Sequence, residues 1–245
     1  MPHSGIFWIV ANSTVINNSG RKTTVALKVL MAGTGLIFVL FLLFHMYGNL
    51  KMLLGADAFN HYAHWLQNDL LYPVLPHKGA VWLMRAFLLL AILGHAYSAI
   101  ALWSRANKAR GGAYKVSTGK KVRAGQTYTA RTMRWGGIIL AIFIVFHLLQ
   151  FTTLHLSVGA ENYAAMEPYD RVVAGFSVPW LWAFYLIAMV AVAMHVRHGV
   201  WSALATLGLS SRKRERAFKI TGDIVAFALI VGFMTPPTMI LFGLL

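Results

Sequence analysis

Five long apolar runs decide what this chain can fold into. Their approximate limits are Val25–Leu50, Val81–Trp103, Gly136–Leu154, Val178–Leu207 and Ile224–Leu245. Crossing a bilayer takes ~20 mostly apolar residues in a helix. In hydrocarbon, backbone N–H and C=O groups must pair within the segment, which a helix achieves. The chain is 58% hydrophobic and 12% charged over 245 residues. That balance is too apolar for one soluble domain of this length. The expected fold is therefore an all-α membrane protein, a bundle of five transmembrane helices forming a single integral domain over residues 1–245. Pro236 and Pro237 are expected to interrupt the far half of the fifth span.

Charge orients the bundle. The formal net charge is +15, from 22 Lys+Arg and 7 Asp+Glu. The segment 104–134 carries Arg105, Lys108, Arg110, Lys115, Lys120, Lys121, Arg123, Arg131 and Arg134 and no acid. The segment 210–219 carries Arg212, Lys213, Arg214, Arg216 and Lys219 against Glu215 alone. Arg21, Lys22 and Lys28 sit at the start of the first span, whereas Asp57, Asp69, Glu161, Glu167 and Asp170 lie in the other two loops. By the positive-inside rule the amino terminus and both basic loops are cytoplasmic and the carboxyl terminus is outside. The basic charge tracks the loops, so it reads as topology, anionic lipid and a docking surface, and not as nucleic-acid binding. The opening MPHSGIFWIVANSTV lacks a basic first region and reads as a cytoplasmic arm, not a cleaved signal. Gly111, Gly112 and Gly119 mark the first basic loop as irregular.

The chain has no cysteine. Disulfides, thiolate-held iron–sulfur clusters and thioether-bound haem are excluded from it.

Histidine carries the chemistry instead. His45, His95, His147 and His195 each fall within a different apolar run. Ionisable groups inside a membrane are expensive and mark function. Depth sorts them. His45 follows Lys28 by 17 residues and His147 follows Arg134 by 13; at ~1.5 Å per residue both lie roughly 20–25 Å outward. His95 follows Lys78 by 17 residues and His195 follows Pro179 by 16, both running inward from the outer side. One pair is thus expected in the outer half and one in the inner half. Two pairs at two depths suit two bis-histidine b haems, because neutral imidazole ligates iron and brings no charge into lipid. His198, three residues from His195, competes as a ligand. His155 is expected at the outer interface. Arg85 and Arg197 are candidate partners for haem propionates or a quinone. His61, His64, Gln67 and Asp69, in the loop before the second span, are candidate quinone contacts.

These histidines stand in familiar surroundings: FHMYGNL at His45, AFNHYAHWL before the second span, ILGHAYSAIALWSRANKAR at His95, FIVFHLLQF at His147 and MHVRHGVWSALATLG at His195. Together they resemble the single-chain, five-helix, di-haem cytochrome b subunit of succinate:quinone oxidoreductases (succinate dehydrogenase or fumarate reductase). The resemblance covers nearly the whole chain. It implies that His95 and His195 hold the proximal haem iron, nearer the cytoplasmic subunits, and His45 and His147 the distal one. It also favours His195 over His198. It implies a flavoprotein partner with FAD and the dicarboxylate site, an iron–sulfur partner with three clusters, and menaquinone as electron acceptor. The expected location is the bacterial cytoplasmic membrane, and the whole complex is free to form oligomers. In one respect the chain departs from some di-haem members: Ala193 stands where they place a glutamate linked to proton movement. Two rival readings are a cytochrome b of another respiratory dehydrogenase, and a haem-free anchor or transporter. Span count argues against the first and depth pairing against the second.

Overall fold

The computed structural model describes residues 18–109, 120–211 and 213–245. The amino-terminal arm, the glycines of the first basic loop and Arg212 lie outside the described residues. Among those described, the chain is helical with no strand. Its α-helices are α1 (Asn18–Leu50), α2 (Ala56–Asn68), α3 (Gly79–Ala109), α4 (Lys120–Phe151), α5 (Pro168–Phe176), α6 (Pro179–Thr206) and α7 (Arg214–Leu241). Five of them, α1, α3, α4, α6 and α7, contain windows long and apolar enough to cross a membrane.

Several boundaries differ from the sequence expectation. Helix α3 runs on through Arg105 and Lys108 to Ala109, and α4 begins at Lys120. Most of the first basic segment is therefore helical extension. The third span stops at Phe151, before Leu154. There the amides of Thr152 and Thr153 bond back to the Leu148 carbonyl, and His155 and Leu156 to that of Leu149. These bonds satisfy the last carbonyls and end the helix. Likewise α7 ends at Leu241. Gly243, at φ 66°, lets the Leu244 amide reach the Met239 carbonyl at 2.8 Å, a left-handed helix stop.

Pro236 and Pro237 do not break α7, contrary to expectation; both are buried inside it. Proline is tolerated in a spanning helix whose neighbours hold it. Next to them Thr235 Oγ1 donates to the Val231 carbonyl at 2.7 Å, and Trp182 Nε1 donates to Thr238 Oγ1 at 3.0 Å, tying α6 to α7 at this point.

Helix α6 is the hub. It packs along α7 and against α1 and α4, while α3 lies on the other side of α1. Its buried face runs through Leu181, Tyr185, Ala188, Met189, Val192, Val196 and Val200. Small residues set its spacing to α7, as is usual between spanning helices. A Cβ on Gly222 would lie 2.6 Å from the Arg197 carbonyl. The outward faces are strongly apolar: Phe44 is 71% exposed, Phe227 69% and Leu90 68%. In water such a surface would drive association; in lipid it is the solvent-compatible one.

The loops at the end opposite the basic segments are ordered by two amphipathic helices, α2 and α5. Pro168 opens α5 and Asp170 lies in its first turn, both favourable at a helix start. The helices are cross-linked: the Tyr169 amide donates to Asn60 Oδ1 at 2.9 Å, and His64 Nε2 lies 3.1 Å from Glu167 Oε2.

Candidate functional site

The bundle brings the four span histidines together in two pairs. His45 of α1 faces His147 of α4, with ring centroids 5.8 Å apart and planes at 79°. His95 of α3 faces His195 of α6, with centroids 6.2 Å apart and planes at 58°. Each pair therefore joins two helices, and the four helices contribute one ring each. The first pair lies toward the end capped by α2 and α5, the second toward the basic end.

The two surroundings differ. The first pair sits in an aromatic cage. His45 stacks on Phe41 at 5.4 Å and lies 5.6 Å from Phe233. His147 lies 5.8 Å from Phe143 and 5.7 Å from Phe151. The second pair is flanked by glycines. An added Cβ on Gly35 would come within 3.4 Å of the His95 ring, and one on Gly136 or Gly137 within 4.0 Å of His195. Flat groups can approach these rings closely because no side chain stands there.

Two rings are held by hydroxyls. His147 Nδ1 lies 3.1 Å from the Tyr185 hydroxyl, which donates to Gln150 Oε1 at 2.9 Å. His95 Nδ1 lies 3.1 Å from Thr34 Oγ1, which donates to the Leu30 carbonyl at 2.7 Å. By contrast, the buried Nδ1 of His195 has no hydrogen-bond partner. A buried polar atom left so costs ~1–3 kcal/mol.

The donor set fits a haem. Among the described residues no cluster of three or more His, Cys, Asp or Glu could chelate a metal alone. Two facing imidazoles instead suit a metal whose remaining positions a macrocycle fills.

The other sequence candidates fall elsewhere. Arg85 is exposed on α3, its guanidinium 5.1 Å above the Trp82 ring. Arg197 is paired with Asp223 of α7 across an exposed edge. His198 sits beside Trp201, 5.7 Å between centroids, and stacks with neither histidine pair. His61, His64, Gln67 and Asp69 are exposed on or just after α2. None of these four hydrogen-bonds or stacks with His45 or His147 among the described residues. His155 is exposed beyond the end of α4. Ala193 is buried in α6 and offers no acid. Thr34, Tyr185 and Gln150 join the site through the fold; the sequence signal for Thr34 and Gln150 is a polar residue within a mostly apolar span.

Fold and site define a multi-pass helical membrane protein with half-buried histidine pairs at two levels. A family model described as succinate dehydrogenase/fumarate reductase transmembrane subunit matches residues 121–234. The chain is also similar to the succinate dehydrogenase cytochrome b558 subunit of Bacillus subtilis (strain 168). The two are 26% identical over 193 residues, covering 77% of this chain and 82% of that protein. No solved structure matches the chain.

Proposed function

We propose that this chain is the membrane anchor and electron-transferring subunit of a bacterial succinate dehydrogenase complex, holding two haems b and serving menaquinone. His45 and His147 would hold one haem, His95 and His195 the other. One observation carries the reading: four histidines from four helices meet as two facing pairs. When bound, haem b supplies a one-electron carrier at each level.

The chain's own residues make such carriers tolerable in lipid. Neutral imidazoles add no charge to the interior. The aromatic cage of Phe41, Phe143, Phe151 and Phe233 excludes water around the first pair. The basic ends of α3 and α7 face the cytoplasm by the positive-inside rule. There they offer a cationic surface to an iron–sulfur protein and a flavoprotein carrying FAD. His95 and His195 then lie on the donor side. His45 and His147 lie on the acceptor side, beneath α2, whose His61, His64, Gln67 and neighbouring Asp69 offer polar partners to a quinone carbonyl.

The test is a reduced-minus-oxidised spectrum of the purified complex with a haem assay. A b-type α-band with two haems per chain is expected. Absence of that band overturns the reading.

A further inference from the structure

The two hydroxyl contacts described above have a direction. A hydroxyl has one proton to give. Thr34 spends its proton on the Leu30 carbonyl at 2.7 Å, so toward His95 Nδ1 it can only accept. Tyr185 spends its proton on Gln150 Oε1 at 2.9 Å, so toward His147 Nδ1 it too can only accept. In this bonding pattern both imidazoles donate from Nδ1 and leave Nε2 unprotonated. The arrangement is built, not incidental: Gln150 is fully buried, and Tyr185 is buried among Phe143, Phe176 and Phe184. Each pair thus contains one ring fixed by a hydroxyl and one held otherwise. His45 is held by stacking on Phe41, and His195 Nδ1 is without a partner.

We propose that Thr34 on one pair, and Tyr185 held by Gln150 on the other, are positioning residues that fix the tautomer, ring orientation and donor strength of His95 and His147 as haem ligands. The proposal rests on the ligation reading above. A ligating imidazole whose outer N–H is hydrogen-bonded is a more basic ligand. Greater basicity favours the oxidised metal and lowers its potential. Removing the acceptor should raise the potential of the haem on that ring and leave the other where it was.

The experiment is a redox titration of the intact purified complex, followed in the α-band and by low-temperature electron paramagnetic resonance. Tyr185→Phe should shift one haem positive and alter its low-spin signal, with haem content unchanged. Gln150→Leu should shift the same haem by less. Thr34→Val should shift the other haem alone, and Thr34→Ser, which restores the hydroxyl, should keep wild-type values. Should Tyr185→Phe fail to assemble, the Thr34 variants decide. A shift in Val with Ser at wild type supports the proposal. Fully loaded Thr34→Val with both potentials and signals at wild type overturns it. A wild-type complex without haem overturns the ligation reading itself, an outcome visible before any variant is made.

Discussion

His45 and His147 face one another across the bundle with ring centroids 5.8 Å apart, although 101 residues of chain separate them. If this pair holds one haem and His95–His195 the other, the losses should be separable. His147→Ala should remove about half of the bound haem, the share expected of one site in two. A pyridine haemochrome assay with difference spectra measures this. Loss of both haems in equal proportion from a folded complex would count against the pairing.

Helix spacing yields a second expectation. Alanine at Gly222 would press its Cβ on the backbone carbonyl of Arg197 at 2.6 Å. Backbone cannot rotate aside, and overpacking of this kind costs ~1–3 kcal/mol. Alanine at Gly232 would meet Met46 instead, a flexible thioether able to repack. Thermal unfolding in detergent should therefore show Gly222→Ala melting below Gly232→Ala. The reverse order would mean that α6 and α7 are not locked at Gly222.

Alkaline pH should act through Tyr163, which lies outside the spans in a short 3₁₀ turn. Burial pushes its phenol up to about 12, from an ordinary 10.0. The folded state disfavours the phenolate, so this contribution to stability is complete below pH 10 and fades as pH rises toward 12. Tyr163→Phe should flatten that part of the stability–pH curve. Identical alkaline unfolding of the two proteins would remove Tyr163 as the cause.

The cap formed by α2 and α5 can be tested through His64, which bridges to Glu167 at 3.1 Å. As an exposed pair it contributes ~1 kcal/mol or less to stability. If α2 meets the quinone, His64→Ala should raise the quinone KM while haem content and spectra stay constant. Steady-state quinone reduction measures it, and an unaltered KM would take His64 out of the site.

The pairing of the histidines is legible because rise per residue is constant in a helix and Lys28, Arg134, Lys78 and Pro179 near the span ends provide a ruler. The same logic placed the five spans. It failed where termination depends on local bonding: the third span stops at Phe151 because Thr152, Thr153 and His155 wrap back onto Leu148 and Leu149. It failed again at Pro236 and Pro237, which are buried inside α7, where packing against neighbouring helices and not local propensity decides. Arg197 illustrates a third limit. Its place near His195 in sequence suggested a propionate partner, yet helical geometry turns it outward to Asp223. Tyr185 is illegible for the opposite reason: an aromatic in an apolar span reads as packing, and only the fold puts its hydroxyl between His147 and Gln150.

Helix α4 packs chiefly against α6, and little of its surface is covered by protein. In mechanical terms its described part is a rod fastened along one line, by ring contacts and by the Tyr185 hydroxyl between His147 and Gln150. Its second fixed point is His147, facing α1. On the proposed reading the cofactor is then as much a hinge pin as a wire, and what sets the roll angle of α4 also sets the orientation of the ligand it carries.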